Sequence, residues 1–411
     1  MSLFLTISCF IIAFIAYRQN KALHNPITLY LGVWAFVFAL YTMNPYGLPQ
    51  VHGETYNIYI IGFLSFLFGN ALIRKKSRIS LQCNEQRTIK NKILFYFIVA
   101  MIVLMIIPAL KAMMLLLSGV NLHDIRYVHH DDILGDGIVA IAFVYFCEPF
   151  ITFLIIYSVI NMFIGQKKLY YILLSIITLG LMTVITGGRF FVLYFISSLL
   201  IALFIFRRSA VAKRITKYSI LLLGLLIAAL VVISIVRGSD ITRTMYVYLS
   251  GCIPFMEERL SANANYLPNM FGLASLNGLI RPVFVVLRKI FSMDLPLPLQ
   301  VVESVFLEDD VMVMLTPEIH YNSFVSIFYS MYLDGGLLGV AIGNCILGIM
   351  AKSIYVRLKE NDTYILVLYT LVSIIFLLSF FKFLVCNYSY ALSFVYLYMC
   401  FTHKRRKVSK S

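Results

Sequence analysis

Three short stretches of this 411-residue chain hold side chains able to do chemistry. In "TPEIHYNSF" (316–324), Glu318, His320 and Asn322 alternate with bulkier residues just before an apolar run. An imidazole that titrates near neutrality can take a proton from a hydroxyl or orient it. A solvated interfacial histidine would fit the same spacing. In "ITGGRFF" (185–191), Arg189 follows Gly187 and Gly188 between two apolar segments. The glycines allow a tight turn, and a half-desolvated guanidinium grips phosphate through two parallel hydrogen bonds. The ordinary alternative is an arginine snorkelling to headgroups. In "LHDIRYVHHDD" (122–132), Arg126 lies between Ile125 and Tyr127. His123, His129, His130, Asp131 and Asp132 have metal-ligand chemistry, as do Glu308, Asp309 and Asp310. Neither group has a ligand spacing, so solvated polar loops are expected and no metal.

The elements that must position these residues follow from composition. The chain is 61% hydrophobic and 13% charged, with a mean hydropathy of +0.89. So much apolar surface cannot be hidden from water, and repeated runs of about 17–25 apolar residues match roughly 30 Å of hydrocarbon. Backbone groups in lipid must be satisfied within each segment, which makes an all-α, polytopic transmembrane helical bundle the expected fold. Eleven spans are predicted, at 3–17, 27–43, 56–73, 93–117, 137–164, 169–186, 190–206, 218–236, 323–351, 363–381 and 383–401. The first, with its charges after the apolar run, reads as an anchor rather than a cleaved leader.

Alternating the connections puts most of the 34 Lys/Arg and few of the 19 Asp/Glu on one side. That side holds "RKKSRISLQCNEQRTIKNK" (74–92), "RRSAVAKRITK" (207–217) and the tail "HKRRKVSKS" (403–411). By the positive-inside rule it is cytoplasmic, with the N-terminus outside. The +15 net charge is therefore an orientation signal and not a nucleic-acid footprint. Of the seven cysteines only Cys252 falls in the long outer loop, so no disulfide framework is expected.

Three regions result: helices one to eight (1–236), a large outer loop (237–322), and helices nine to eleven with the basic tail (323–411). A loop of that length should contain helices of its own or serve a function. Within it, "LNGLIRPVFVVLRKIF" (276–291) is apolar around most of a helical projection, and Arg281 and Arg288 share a narrow polar face. Such a helix would lie along the membrane surface, as a simple anchor or with its arginines facing a lipid diphosphate. Arg237 and Arg243 add to the outer cations, which the positive-inside rule disfavours unless something anionic selects them. In span nine, Asp334-Gly335-Gly336 interrupts the apolar run, and Gly339 and Gly343 continue a face suited to close helix packing. Lys111 and Glu148, on consecutive spans, are expected to form a structural ion pair, with proton-coupled transport as the alternative.

Taken together, "TGGRF", "LHDIRY", the large outer loop and "HYNSFVSIFYSMYLDGGLLG" resemble the bacterial O-antigen polymerase (Wzy-type) family over nearly the whole chain. The resemblance implies a GT-C-like, metal-independent glycosyltransferase of the bacterial inner membrane with its site facing the periplasm. Its substrate would be an undecaprenyl-diphosphate-linked oligosaccharide, with a polysaccharide chain-length regulator as a further partner. His320, aided by Glu318, would orient and deprotonate the acceptor hydroxyl, with Arg189 as the third catalytic residue. Arg126, Arg243, Arg281, Arg288, Tyr321 and Asn322 would bind diphosphate or glycan. No cofactor is implied. Related ligase-type enzymes set the histidine directly before an Asn-like residue, whereas Tyr321 intervenes here. A flippase or exporter of lipid-linked saccharide, another membrane transporter and a ligase-type glycan transferase are the competing classes.

Overall fold

The computed structural model describes residues 1–73, 85–120, 125, 130–135, 137–164, 169–186, 188, 190–207, 220, 224, 241–262, 270–292, 294, 299–302, 313–316, 319–321, 325–358 and 362–405. The chain is mostly helical. In order, its elements are α1 (Ser2–Asn20), α2 (Pro26–Met43), α3 (Gly53–Leu72), β1 (Glu85–Ile89), α4 (Asn91–Leu117), α5 (His130–Leu134) and α6 (Ile138–Ala142). A π-helical turn (Phe143–Cys147) leads into α7 (Glu148–Ile164), followed by α8 (Leu169–Thr186), α9 (Phe190–Phe206), α10 (Ile241–Ser250), α11 (Cys252–Ala262) and α12 (Asn277–Phe291). Next come β2 (Val313–Thr316), β3 (Ile319–Tyr321), α13 (Ile327–Tyr355), α14 (Thr363–Leu377), a 3-10 turn (Leu384–Cys386), α15 (Tyr388–Ala391), α16 (Ser393–Cys400) and β4 (Phe401–Arg405).

Six helices among the described residues are long and apolar enough to cross a bilayer: Ser2–Asn20, Pro26–Met43, Gly53–Leu72, Asn91–Leu117, Ile138–Ile164 and Ile327–Tyr355. Tyr170–Thr186, Phe190–Phe206 and Thr363–Leu377 are apolar but shorter. Large side chains such as Phe4, Phe10, Phe68, Ile107 and Met114 stand exposed along these helices. An apolar exterior of that extent suits hydrocarbon, so the chain is a multi-pass membrane protein. Of the expected span at 218–236, only residues 220 and 224 are described. The expected span at 383–401 is broken into the 3-10 turn, α15 and α16. Extended backbone at Phe383 and Asn387 makes the break, and the backbone of Val385 and Asn387 packs against Gly278 on α12. Irregular backbone at membrane depth is tolerated when protein covers it in this way.

Two compact units result. The first comprises Met1–Lys75, Ile227–Arg357 and Val372–Asn387. Its α2 starts from Asn25, whose side chain accepts from the Ile27 N–H at 2.9 Å with Pro26 at the first helical position, and it stops at Asn44 in the left-handed region. Four-residue spacing puts Tyr30, Trp34 and Phe38 on one face of α2, against Tyr59, Phe63 and Phe66 of α3 and Phe328 of α13. Buried Asn344 crosses this apolar core, accepting from Tyr30 Oη at 3.0 Å and donating to the Val340 carbonyl at 3.0 Å.

Close approach of α3 and α13 depends on Gly69, where a Cβ would overlap the Cys345 carbonyl, and on Gly348, where it would overlap that of Phe66. Gly339 and Gly343 serve a different contact from the one their spacing suggests. They face Met331 of their own helix across a kink at Gly335 and Gly336, the latter with φ 59°.

The second unit comprises Lys76–Leu226, Leu358–Leu371 and Tyr388–Ser411. Its centre is α7, buried on nearly every side between α8, α9, α15 and α16. The all-α expectation misses two small antiparallel sheets. One pairs β1 with β4, from Glu85↔Arg405 to Ile89↔Phe401. It joins the two basic segments that the alternation assigns to a common side.

Candidate functional site

In the first unit the long loop folds back on the helices. Strand β3 carries His320 and Tyr321, opposite Met314 and Val313 of β2, and a register shift precedes the Thr316↔Ile319 pair. This hairpin packs against α10, which holds Arg243, and α10 packs in turn on α2 and α11. The seating of α10 is polar: Tyr246 Oη donates to Asn44 Oδ1 at 3.0 Å, and Tyr46 Oη meets Thr242 Oγ1 at 3.0 Å. His320 and Arg243 therefore lie on elements in contact. Arg281 and Arg288 lie two helical turns apart on α12, the first half-buried and the second exposed. The expected helix over 276–291 is thus present as Asn277–Phe291. Arg126, Arg189, Glu318 and Asn322 lie outside the described residues, as do His123, His129 and the acidic run 308–310.

Sequence reading missed the polar cluster at the start of α3. Glu257 of α11 accepts from the His52 N–H at 2.7 Å and from Thr55 Oγ1 at 2.8 Å, and its Oε1 meets His52 Nδ1 in an ion pair. One carboxylate thereby takes the backbone N–H at the cap of α3 and a hydroxyl of its first turn, and places negative charge at the helix start. Burial alone would raise the Glu257 carboxyl, but the hydrogen bonds from His52 and Thr55 outweigh it and hold the group below the usual carboxylate range. In return, the hydrogen bond to Glu257 raises His52 above its ordinary value. The only local sign was a polar run, His52-Gly53-Glu54-Thr55, ahead of an apolar segment. Nearby Arg259 is buried, its guanidinium 4.8 Å from the Phe255 ring centre.

The long loop also reaches α13 at its kink. Asp334 accepts from the backbone N–H groups of Ala274 and Ser275, each at 2.9 Å, while the Phe271 N–H donates to the Asp334 carbonyl at 3.0 Å. The expected Lys111–Glu148 ion pair is not formed. Lys111 Nζ donates instead to the Asp132 carbonyl at 2.9 Å, and Glu148 is buried apart from it. Lys111 lies near the end of α4, where its long stem lets the ammonium turn to the polar segment 130–135 rather than into the bundle.

No protein-family model, no curated protein and no solved structure matches the chain.

Proposed function

We propose that the chain is a polymerase joining undecaprenyl-diphosphate-linked oligosaccharide repeat units into O-antigen or a related surface polysaccharide, at the periplasmic face of the bacterial inner membrane. The observation that carries the reading is the packing of the His320 strand on the Arg243 helix, in a unit that also holds Arg281, Arg288 and membrane-spanning helices. A proton acceptor and several cations at a membrane are what transfer from a lipid diphosphate requires. The acceptor hydroxyl gives its proton to His320 as its oxygen bonds the donor sugar carbon. The bond from that carbon to the diphosphate oxygen breaks, and its electron pair leaves with undecaprenyl diphosphate. Arginines stabilise the charge developing on the leaving group, so the reaction needs no divalent ion. Tyr321 and Asn322 complete the assigned contacts of the first unit, with Glu318 supporting His320, while Arg126 and Arg189 belong to the second unit; a chain-length regulator would act on the product.

Deleting the gene and resolving the surface polysaccharide on gels tests this. Single-repeat products without long chains are expected. A wild-type ladder refutes the reading, and complete loss of surface glycan moves the assignment to export or ligation. Glu148, a lone carboxyl in a membrane span, is the observation that favours a carrier as the second reading.

A further inference from the structure

Glu148 stands ten residues into the apolar segment Ile138–Ile164, about 15 Å along it at 1.5 Å per residue. Only 8% of it is exposed, and its carboxyl group has no hydrogen bond or ion pair with any described residue. The hydrogen bond at this position is made by the backbone, from Thr152 Oγ1 to the Glu148 carbonyl at 3.1 Å. The residue comes directly after the π-helical turn Phe143–Cys147. A π turn inserts one residue into the helical register, rotates the residues beyond it, and recurs at functional sites.

The elements around it bring few further polar groups to Glu148. Helix α9 brings Tyr194, 1% exposed and within electrostatic range of Glu148, with the Ser389 hydroxyl of α15 beside its Oη. The fragment α15, set off by the break before it, packs on both α7 and the π turn. Its Tyr390 lies 5.2 Å from the Tyr194 ring but commits its own Oη to the Leu371 carbonyl at 2.5 Å. Its Tyr388 ring stands 4.9 Å from that of Tyr145. The remaining titratable groups on α7 and the elements packed on it are Tyr96, Cys147, Tyr157, the Tyr170–Tyr171 pair, Tyr396, Tyr398 and Cys400. The described cations there, Lys92 and Lys111 of α4, are both exposed.

An isolated carboxylate cannot be held in such surroundings without a compensating charge. Carriers solve the problem with a bound ion where helices are discontinuous. One carboxyl group and the hydroxyls of Tyr194 and Ser389 are too few oxygens to replace the shell of a metal cation, and suffice for a proton. We propose that Glu148, with Tyr194 in electrostatic range of it, is an intramembrane proton-binding site. It gives the chain a place to take up or release one proton within the bilayer, and it stands whether or not the polymerase reading does.

Dicyclohexylcarbodiimide, an apolar reagent for protonated carboxyls, tests the proposal on the purified full-length protein. The carboxyl proton moves to a reagent nitrogen as the carboxyl oxygen bonds the central carbon, an addition without a leaving group. Peptide mass spectrometry should find one reagent molecule on Glu148 at neutral pH. Labelling should fall as the pH rises, be unchanged by sodium chloride, and be absent in Glu148→Gln. Tyr194→Phe should shift the pH of half-labelling. An infrared carboxylic-acid band that disappears in Glu148→Gln confirms the proton independently of reagent access. Absence of both the label and the band overturns the proposal. Protection by sodium overturns it in favour of a metal cation.

Discussion

His52 and Glu257 stand 205 positions apart and are joined by a backbone hydrogen bond and a side-chain ion pair. The contact fastens the first turn of α3 to α11 of the long loop. The raised His52 contributes stability that is complete below its unfolded value near 6.5 and is lost as the pH climbs through the higher folded value. The lowered Glu257 contributes stability present above its unfolded value near 4.5 and lost as the pH falls through the lower folded value. Both hold between those two limits. Melting temperature against pH should therefore show a plateau there, with a decline on each side that flattens in His52→Ala and at high salt. An identical profile in the variant would remove the pair from the account.

Asp334 is expected to act as the anchor of segment 270–276. Its carboxylate takes two backbone N–H groups at 2.9 Å, and a hydrogen bond to a charged group contributes about 1.5–3 kcal/mol. Asp334→Ala should lower the melting temperature and open the segment to protease, whereas Asp334→Asn, which keeps one acceptor, should be intermediate. Equal proteolysis of all three proteins would count against the anchor.

The two glycine contacts between α3 and α13 differ in kind from Gly32, where an added Cβ meets nothing within 4 Å. Gly69→Ala and Gly348→Ala should each destabilise by about 1–3 kcal/mol, because the neighbour that must yield is a backbone carbonyl. Gly32→Ala should be neutral or slightly stabilising in thermal unfolding. Comparable losses at all three sites would show that the approach of the two helices is not the cause.

Legible in the sequence was whatever a local window contains. The long spans declare themselves by uninterrupted apolar length, and α12 by two arginines seven apart on an otherwise apolar projection. The π turn at 143–147 and the break at 383–387 leave no such trace, since both are fixed by what packs on them. The β1–β4 pairing and the His52–Glu257 contact join segments hundreds of residues apart, and charge alternation shows only that the two basic segments share a side. Proximity along the chain pairs Lys111 with Glu148, but the lysine finds a carbonyl outside the bundle. Of the assigned site, the His320 strand, Arg243 and the α12 arginines gather in one unit.

The polymerase reading is most exposed at His320. A general base contributes about 10²–10⁴-fold, so His320→Ala should reduce elongation by that order while the protein still folds and inserts. Met314, its partner on β2, provides the control, because Met314→Ala disturbs the same hairpin without removing a proton acceptor. Long-chain glycan on gels is the readout, with the melting temperature of each purified variant as the test of folding. Arg243→Lys should shorten the chains less than Arg243→Ala, since an ammonium keeps the charge but not the forked donors. A full ladder from His320→Ala, or equal losses from His320→Ala and Met314→Ala, would reduce the hairpin to a structural role and leave the proton of the acceptor hydroxyl to another group.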